Sequence, residues 1–322
     1  MAVETARSTM DQAAAGAAAV AELARIARHR RLGIALLASS AGLLTAGDAI
    51  AKWLTATYPI GEIIFVRGLI VLALLVLWFL PRGRLPDLLP RRLVGQLARA
   101  LSFVAATFLM IWSLSLLPLA TVTAITFAAP IITTAIAPWL LGESAGWRRW
   151  LAVLAGFAGV LLIVSPFGGH WSWTLLIPLG AAAAQSLRDI STRHLVGTET
   201  NASVVFVTMT ATVIAGALTA PLGAIDPQAW RWTMPSAWDA ALLFCFGTAT
   251  CAAYLMQVAA LRAAEAAFLA PFKYVTVLWA IAIGFIIWGH VPGAAVLLGS
   301  LIIAGSGMFI WWRETGMRSL HA

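Results

Sequence analysis

Five ionisable side chains interrupt stretches of this sequence that are otherwise apolar: Asp48, Lys52, Arg67, Arg99 and Lys273. An ionisable group at the centre of a hydrocarbon layer costs at least ~2.5–3.5 kcal/mol on insertion scales, so each implies a partner or a task. Asp48 and Lys52 lie four residues apart near the end of one apolar run, and Arg67 sits at comparable depth in the next. Together they suit a gate or a contact to a charged solute, and equally a static ion pair between helices. Arg99 and Lys273 fall at similar depths in distant runs. They could draw in a carboxylate or phosphate, or simply snorkel to the headgroups as long cationic side chains do. Pro130 and Pro271 each remove a backbone donor inside a run. The carbonyls so freed need protein, water or a ligand, and Thr126 is placed to help. Trp112, Tyr254, Tyr274 and Trp279 offer aromatic walls to an apolar or cationic molecule, and Gln185 a polar contact.

Those runs define the protein class. Hydrophobic residues make up 61% of the 322 positions and charged ones 11%, where a soluble chain carries roughly a quarter charged; mean hydropathy is +0.91. A crossing helix needs about 20 apolar residues, and ten such stretches are found: 32–53, 60–80, 93–115, 118–141, 148–165, 172–191, 202–221, 238–261, 266–288 and 293–312. An all-α integral membrane protein is expected.

Most of the 21 Lys and Arg residues fall in alternate joints or at the ends. The positive-inside rule then places both termini in the cytoplasm of a bacterial inner membrane. The basic arm 1–31 and the tail 313–322 would flank the membrane domain, the arm lying on anionic lipid. Trp171, Trp173, Trp230, Trp232 and Trp238 gather at the other face as an interfacial belt. The net charge of +8 is thus topological and implies no nucleic acid. Cys245 and Cys251 form no metal-ligand pattern.

Catalytic signatures are missing too. There is no His-Glu-x-x-His and no phosphate-binding glycine loop with lysine. We therefore expect no enzyme, no metal and no cofactor. A channel would show repeated polar rings, and none is seen. An intramembrane lipid-modifying enzyme remains the competing class.

Two segments read alike. "AITFAAPIITTAIAPWLLGESAGWRRWLAVLAGFAGVLLI" and "FLAPFKYVTVLWAIAIGFIIWGHVPGAAVLLGSLIIAGSGMFI" each hold a proline-bearing helix, a turn after glycine, and a small-residue helix. Gly142-Glu143 aligns with Gly289-His290, 147 residues on. Five spans per half is odd, so the halves 32–166 and 172–312 must insert in opposite orientations, with the solute site near the midplane between them.

The same segments, with "EIIFVRG" and "ARALSFVAATFLMIWSLSLLPLA", resemble the EamA-type ten-span members of the drug/metabolite transporter superfamily. The resemblance covers nearly all of 32–312, with one departure: His290 stands where the family usually has Glu. It implies a secondary carrier of small organic metabolites working by alternating access. We expect export of amino acids or related amphipathic compounds, by a monomer or homodimer. The alternative is uptake of a larger metabolite such as a flavin or adenosyl compound. Asp48 would serve any proton coupling.

Overall fold

The computed structural model describes residues 2–141, 147–164, 172–195, 199–226, 230–263 and 269–318. Most of these residues are helical, with no strand among them. The helices are α1 (Ala2–Leu54), α2 (Ile60–Phe79), α3 (Leu93–Leu116), α4 (Leu119–Thr126), α5 (Ala129–Leu141), α6 (Trp147–Val164), α7 (Leu176–Leu195), α8 (Asn201–Ala217), α9 (Ala237–Ala263), α10 (Val275–Trp288) and α11 (Ala294–Arg318). Six helical stretches among the described residues are long and apolar enough to cross a membrane, and Val153–Ile163, Phe272–Trp288 and Ala294–Ser306 are shorter apolar helices. The all-α membrane architecture expected from the sequence is what the chain adopts.

Local chemistry sets the breaks. Pro59 and Pro118 directly precede α2 and α4, where a missing N–H costs no helical bond. Gly289 ends α10 with φ at +67° and donates its N–H to Phe285, the left-handed helix stop that glycine supplies most easily. The sequence reading ends the first crossing helix at an arm before residue 32; instead α1 is continuous for 53 residues, about 80 Å at 1.5 Å per residue. Likewise α11 runs past 312 to Arg318. The Gly142-Glu143 turn and Trp171 lie outside the described residues.

Packing follows a two-fold rule. Number the spans in order, with α4 and α5 forming the fourth and Ala270–Tyr274 with α10 the ninth. Then α1 packs on α9 as α7 packs on α3, and α2 on α9 as α8 on α3. Likewise α10 meets α1 as α5 meets α7. Three pairs map onto themselves: α2 with α8, α6 with α11, and α4 with α10. An axis in the membrane plane requires each such pair to cross antiparallel, and each does. Gly61 abuts Thr219 while Gly68 abuts Val213; Gly156 abuts Ser306 while Gly159 abuts Gly299. Between the fourth and ninth spans, Leu119 nears Gly284 while Phe127 meets Tyr274. This is the arrangement of two inverted five-helix units.

Candidate functional site

The fourth and ninth spans are broken where they cross. Helix α4 stops at Thr126 and α5 begins at Ala129, with Pro130 in its first turn. In the ninth span a tight 3₁₀ turn, Ala270–Tyr274, precedes α10, and Pro271 stands at its start. Phe127 and Tyr274, 147 residues apart in the chain, place their ring centroids 5.2 Å from each other. The threonines here mostly tie back locally: Thr126 donates to Val122 and Thr123, Thr134 to Pro130, and Thr133 to Ala129 and Ser186. The buried Thr123 hydroxyl has no partner.

Six helices, three from each half, meet around a group of charged, polar and aromatic side chains. From α1 comes Asp48, half-buried, and from α2 comes Arg67, 8% exposed. The Arg67 guanidinium carbon lies 5.0 Å from the Phe246 ring of α9, a cation–π contact. Its Nε and Nη2 are buried without a hydrogen-bond partner. No ion pair joins Asp48 and Arg67 among the described residues. Arg99 of α3 donates from Nε to Thr192 of α7 (2.8 Å) and from Nη1 to Thr208 of α8 (2.7 Å). Arg188 of α7 bonds Asp189 and lies 5.9 Å over the Phe103 ring. Tyr254 of α9 packs against the core cluster of Val71, Leu75, Phe103 and Met209.

The other candidates are spread more widely. Lys52 donates to the Leu114 and Leu117 carbonyls (2.6 and 2.7 Å) and lies 5.7 Å over Trp288, so it is engaged by the end of α3. Lys273 is exposed on its turn, which packs against α1 and α11. Trp279 donates to the Ala38 carbonyl and lies against Gly42 of α1. Gln185 is half-buried on α7, and Trp112 is 47% exposed. Sequence reasoning did not single out Phe246, Thr192, Thr208, Arg188 or Asp189. Their signal was the polarity of α7, which carries Gln185, Ser186, Arg188, Asp189 and Thr192 within eight residues.

Both ends of the bundle are bridged from half to half. At one, the Tyr58 hydroxyl donates to Asp239 (2.8 Å) and accepts from the Ser236 N–H, and Glu62 accepts the Thr233 N–H. At the other, Glu199 accepts the N–H groups of Arg91 and Arg92, and the Thr200 hydroxyl donates to the Asp87 carbonyl. Burial raises the Glu199 pKa, but those N–H donors, with Gln96 and Ser203, outweigh it and hold the carboxyl below its usual value. The two-fold rule exchanges these two sets of loops. A separate groove of about 310 Å³, lined by Ala46, Ile50, Trp53, Leu242 and Ile286 among others, is apolar and faces outward.

Known proteins bear out the resemblance. Residues 31–165 match the profile of the EamA-like transporter family. This stretch is an EamA-like transporter domain. The match and the relatives below support a multi-pass membrane transporter of the drug/metabolite type rather than an enzyme. It is 25% identical over 270 residues to the S-adenosylmethionine uptake transporter of Rickettsia bellii, covering 84% of this chain and 90% of that one. It is 25% identical over 294 residues to the riboflavin transporter of Vibrio cholerae, covering 89% and 96%. A solved crystal structure shares the fold with a TM-score of 0.57 at 19% identity, over 85% of this chain and 94% of that chain.

Proposed function

We propose that this transporter carries an adenosyl- or flavin-type metabolite into the cell, between the inverted halves 32–166 and 172–312, by alternating access. The carrying observation is that Asp48, Arg67 and Arg99 of the first half stand inside an otherwise apolar bundle, with Phe246, Thr192 and Thr208 of the second half against the two arginines. Charges so placed need a reason, and a solute bound between two moving halves supplies one. The names of the relatives favour the uptake alternative over the amino-acid export first expected from the sequence. In this reading both termini face the cytoplasm, as the basic residues require. The loops of Tyr58 and Asp239 then close the outer mouth and those of Glu199 the inner. Asp48 is the group through which a proton gradient would act.

The test is uptake of labelled S-adenosylmethionine and of riboflavin into proteoliposomes, with and without an imposed pH gradient. Saturable accumulation of one compound supports the reading, and its loss in Asp48→Asn only under the gradient supports coupling. Non-saturating flux of both, or flux of neither, overturns it.

A further inference from the structure

Among the clustered cations, the protein leaves one unsatisfied along a particular edge. Arg99 spends its Nε and Nη1 on Thr192 and Thr208, and Arg188 bonds Asp189. Arg67 is different. Its buried, unpartnered atoms are Nε and Nη2, the side-on edge whose two parallel N–H groups grip a carboxylate in bidentate fashion. Phe246 backs the guanidinium, and Gly68, one residue on, packs closely against Val213 of α8.

Asp48 adds the second half of the argument. It stands on α1, where the preceding Gly47 lies against the same Phe246 ring that backs Arg67, without an ion pair closing between the two charges. Two opposite charges that do not touch fit a molecule carrying both signs. An inorganic anion would satisfy Arg67 and be repelled by Asp48. An uncharged polyhydroxyl chain would leave both ions without a counter-charge. A zwitterion meets both, carboxylate on the Arg67 edge and ammonium on Asp48.

We propose that Asp48 and Arg67 form the receptor for an α-amino-acid head group, so that the transported metabolite is a nucleoside bearing an amino-acid tail rather than a flavin. This rests on the function proposed above and narrows it. The aromatic body would then lie toward Tyr254, Phe103 and Phe246, which line the same region.

The experiment is competition against uptake of labelled S-adenosylmethionine by the full chain in proteoliposomes. S-Adenosylhomocysteine and 5′-methylthioadenosine are both uncharged at sulfur and differ in the amino-acid tail. Loss of a bidentate charge-assisted contact weakens binding on the order of 10- to 100-fold. We expect the thioether with the tail to compete at least about tenfold better than the one without. Arg67→Gln should erase that preference while leaving 5′-methylthioadenosine competition unchanged, and Arg67→Lys should restore part of it. Equal competition by the two thioethers in the wild-type protein overturns the proposal, as does equal weakening of both in Arg67→Gln. Uptake of riboflavin with no uptake of S-adenosylmethionine overturns this inference and leaves the transporter reading standing. Uptake of neither overturns both.

Discussion

At the scale of single residues, charges in this protein divide by whether the fold satisfies them. Arg99 is held by two threonine hydroxyls on two helices, and removing one acceptor leaves a desolvated donor. Thr208→Val should therefore lower stability by about 1–3 kcal/mol, read as a drop in thermal unfolding temperature in detergent, whereas Thr208→Ser should keep most of it. Glu199 shows the same logic in pH. Its carboxyl is held below the usual glutamate value by the Arg91 and Arg92 N–H groups, which outweigh the effect of burial. A depressed folded pKa contributes stability above the unfolded value, and that contribution is lost as pH falls through the folded one. Thermal stability measured from pH 7 down to pH 3 should then fall in the acid limb, and Glu199→Gln should start lower and flatten that limb. A wild-type slope unchanged by Glu199→Gln would refute the role.

At the scale of elements, α3 is the best example of a helix fixed by its ends. Glu199 accepts N–H groups at its start and Lys52 donates to carbonyls at its finish. Both signs complement the helix dipole, negative at the N-terminus and positive at the C-terminus. Lys52→Met should leave two carbonyls without that donor and cost about 1–2 kcal/mol, with hydrogen exchange rising at the Leu114–Leu117 end of the helix. The sequence revealed that Lys52 needed a partner, but not that the partner was backbone. A carbonyl 62 residues away leaves no trace in side-chain types. Asp48 and Arg67 were legible as a group because their depths matched. The cluster around Arg99 was only half legible, since hydroxyls on α7 and α8 look like ordinary helix threonines until the helices are packed. Helix α4 was read with α5 as one span, and Pro130 signalled the break near where it falls. The sequence marks α6 and α11 as small-residue helices, and there the Gly159 and Gly299 backbones approach closely. A Cβ on Gly299 would lie 2.7 Å from the Gly159 carbonyl oxygen and closer still to Ile163. Gly299→Val should accordingly destabilise this pair by a few kcal/mol, on the order expected for overpacking, and reduce folded yield.

At the scale of the whole molecule, the two-fold exchange carries a mechanical consequence. It maps the loop contact of Tyr58 with Asp239 onto the loop contact of Glu199 with the start of α3, at the opposite end of the bundle. Two equivalent latches on either side of one charge cluster are what alternating access requires, since opening one end while the other stays shut exposes the cluster to one side at a time. Weakening a latch should shift the population toward the state in which that end is open, by as much as the latch favours closure. One or two lost hydrogen bonds, at about 1–1.5 kcal/mol each, correspond to roughly a five- to hundredfold shift. A cysteine introduced at Tyr254, with Cys245 and Cys251 replaced by serine, reports exposure of the cluster. Membrane-impermeant thiol reagents added to one face should label it faster in Tyr58→Phe, and reagents added to the other face should label it faster in Glu199→Gln. Equal acceleration from both faces in either variant would mean that the loops merely hold the fold together, and the latch account would fail.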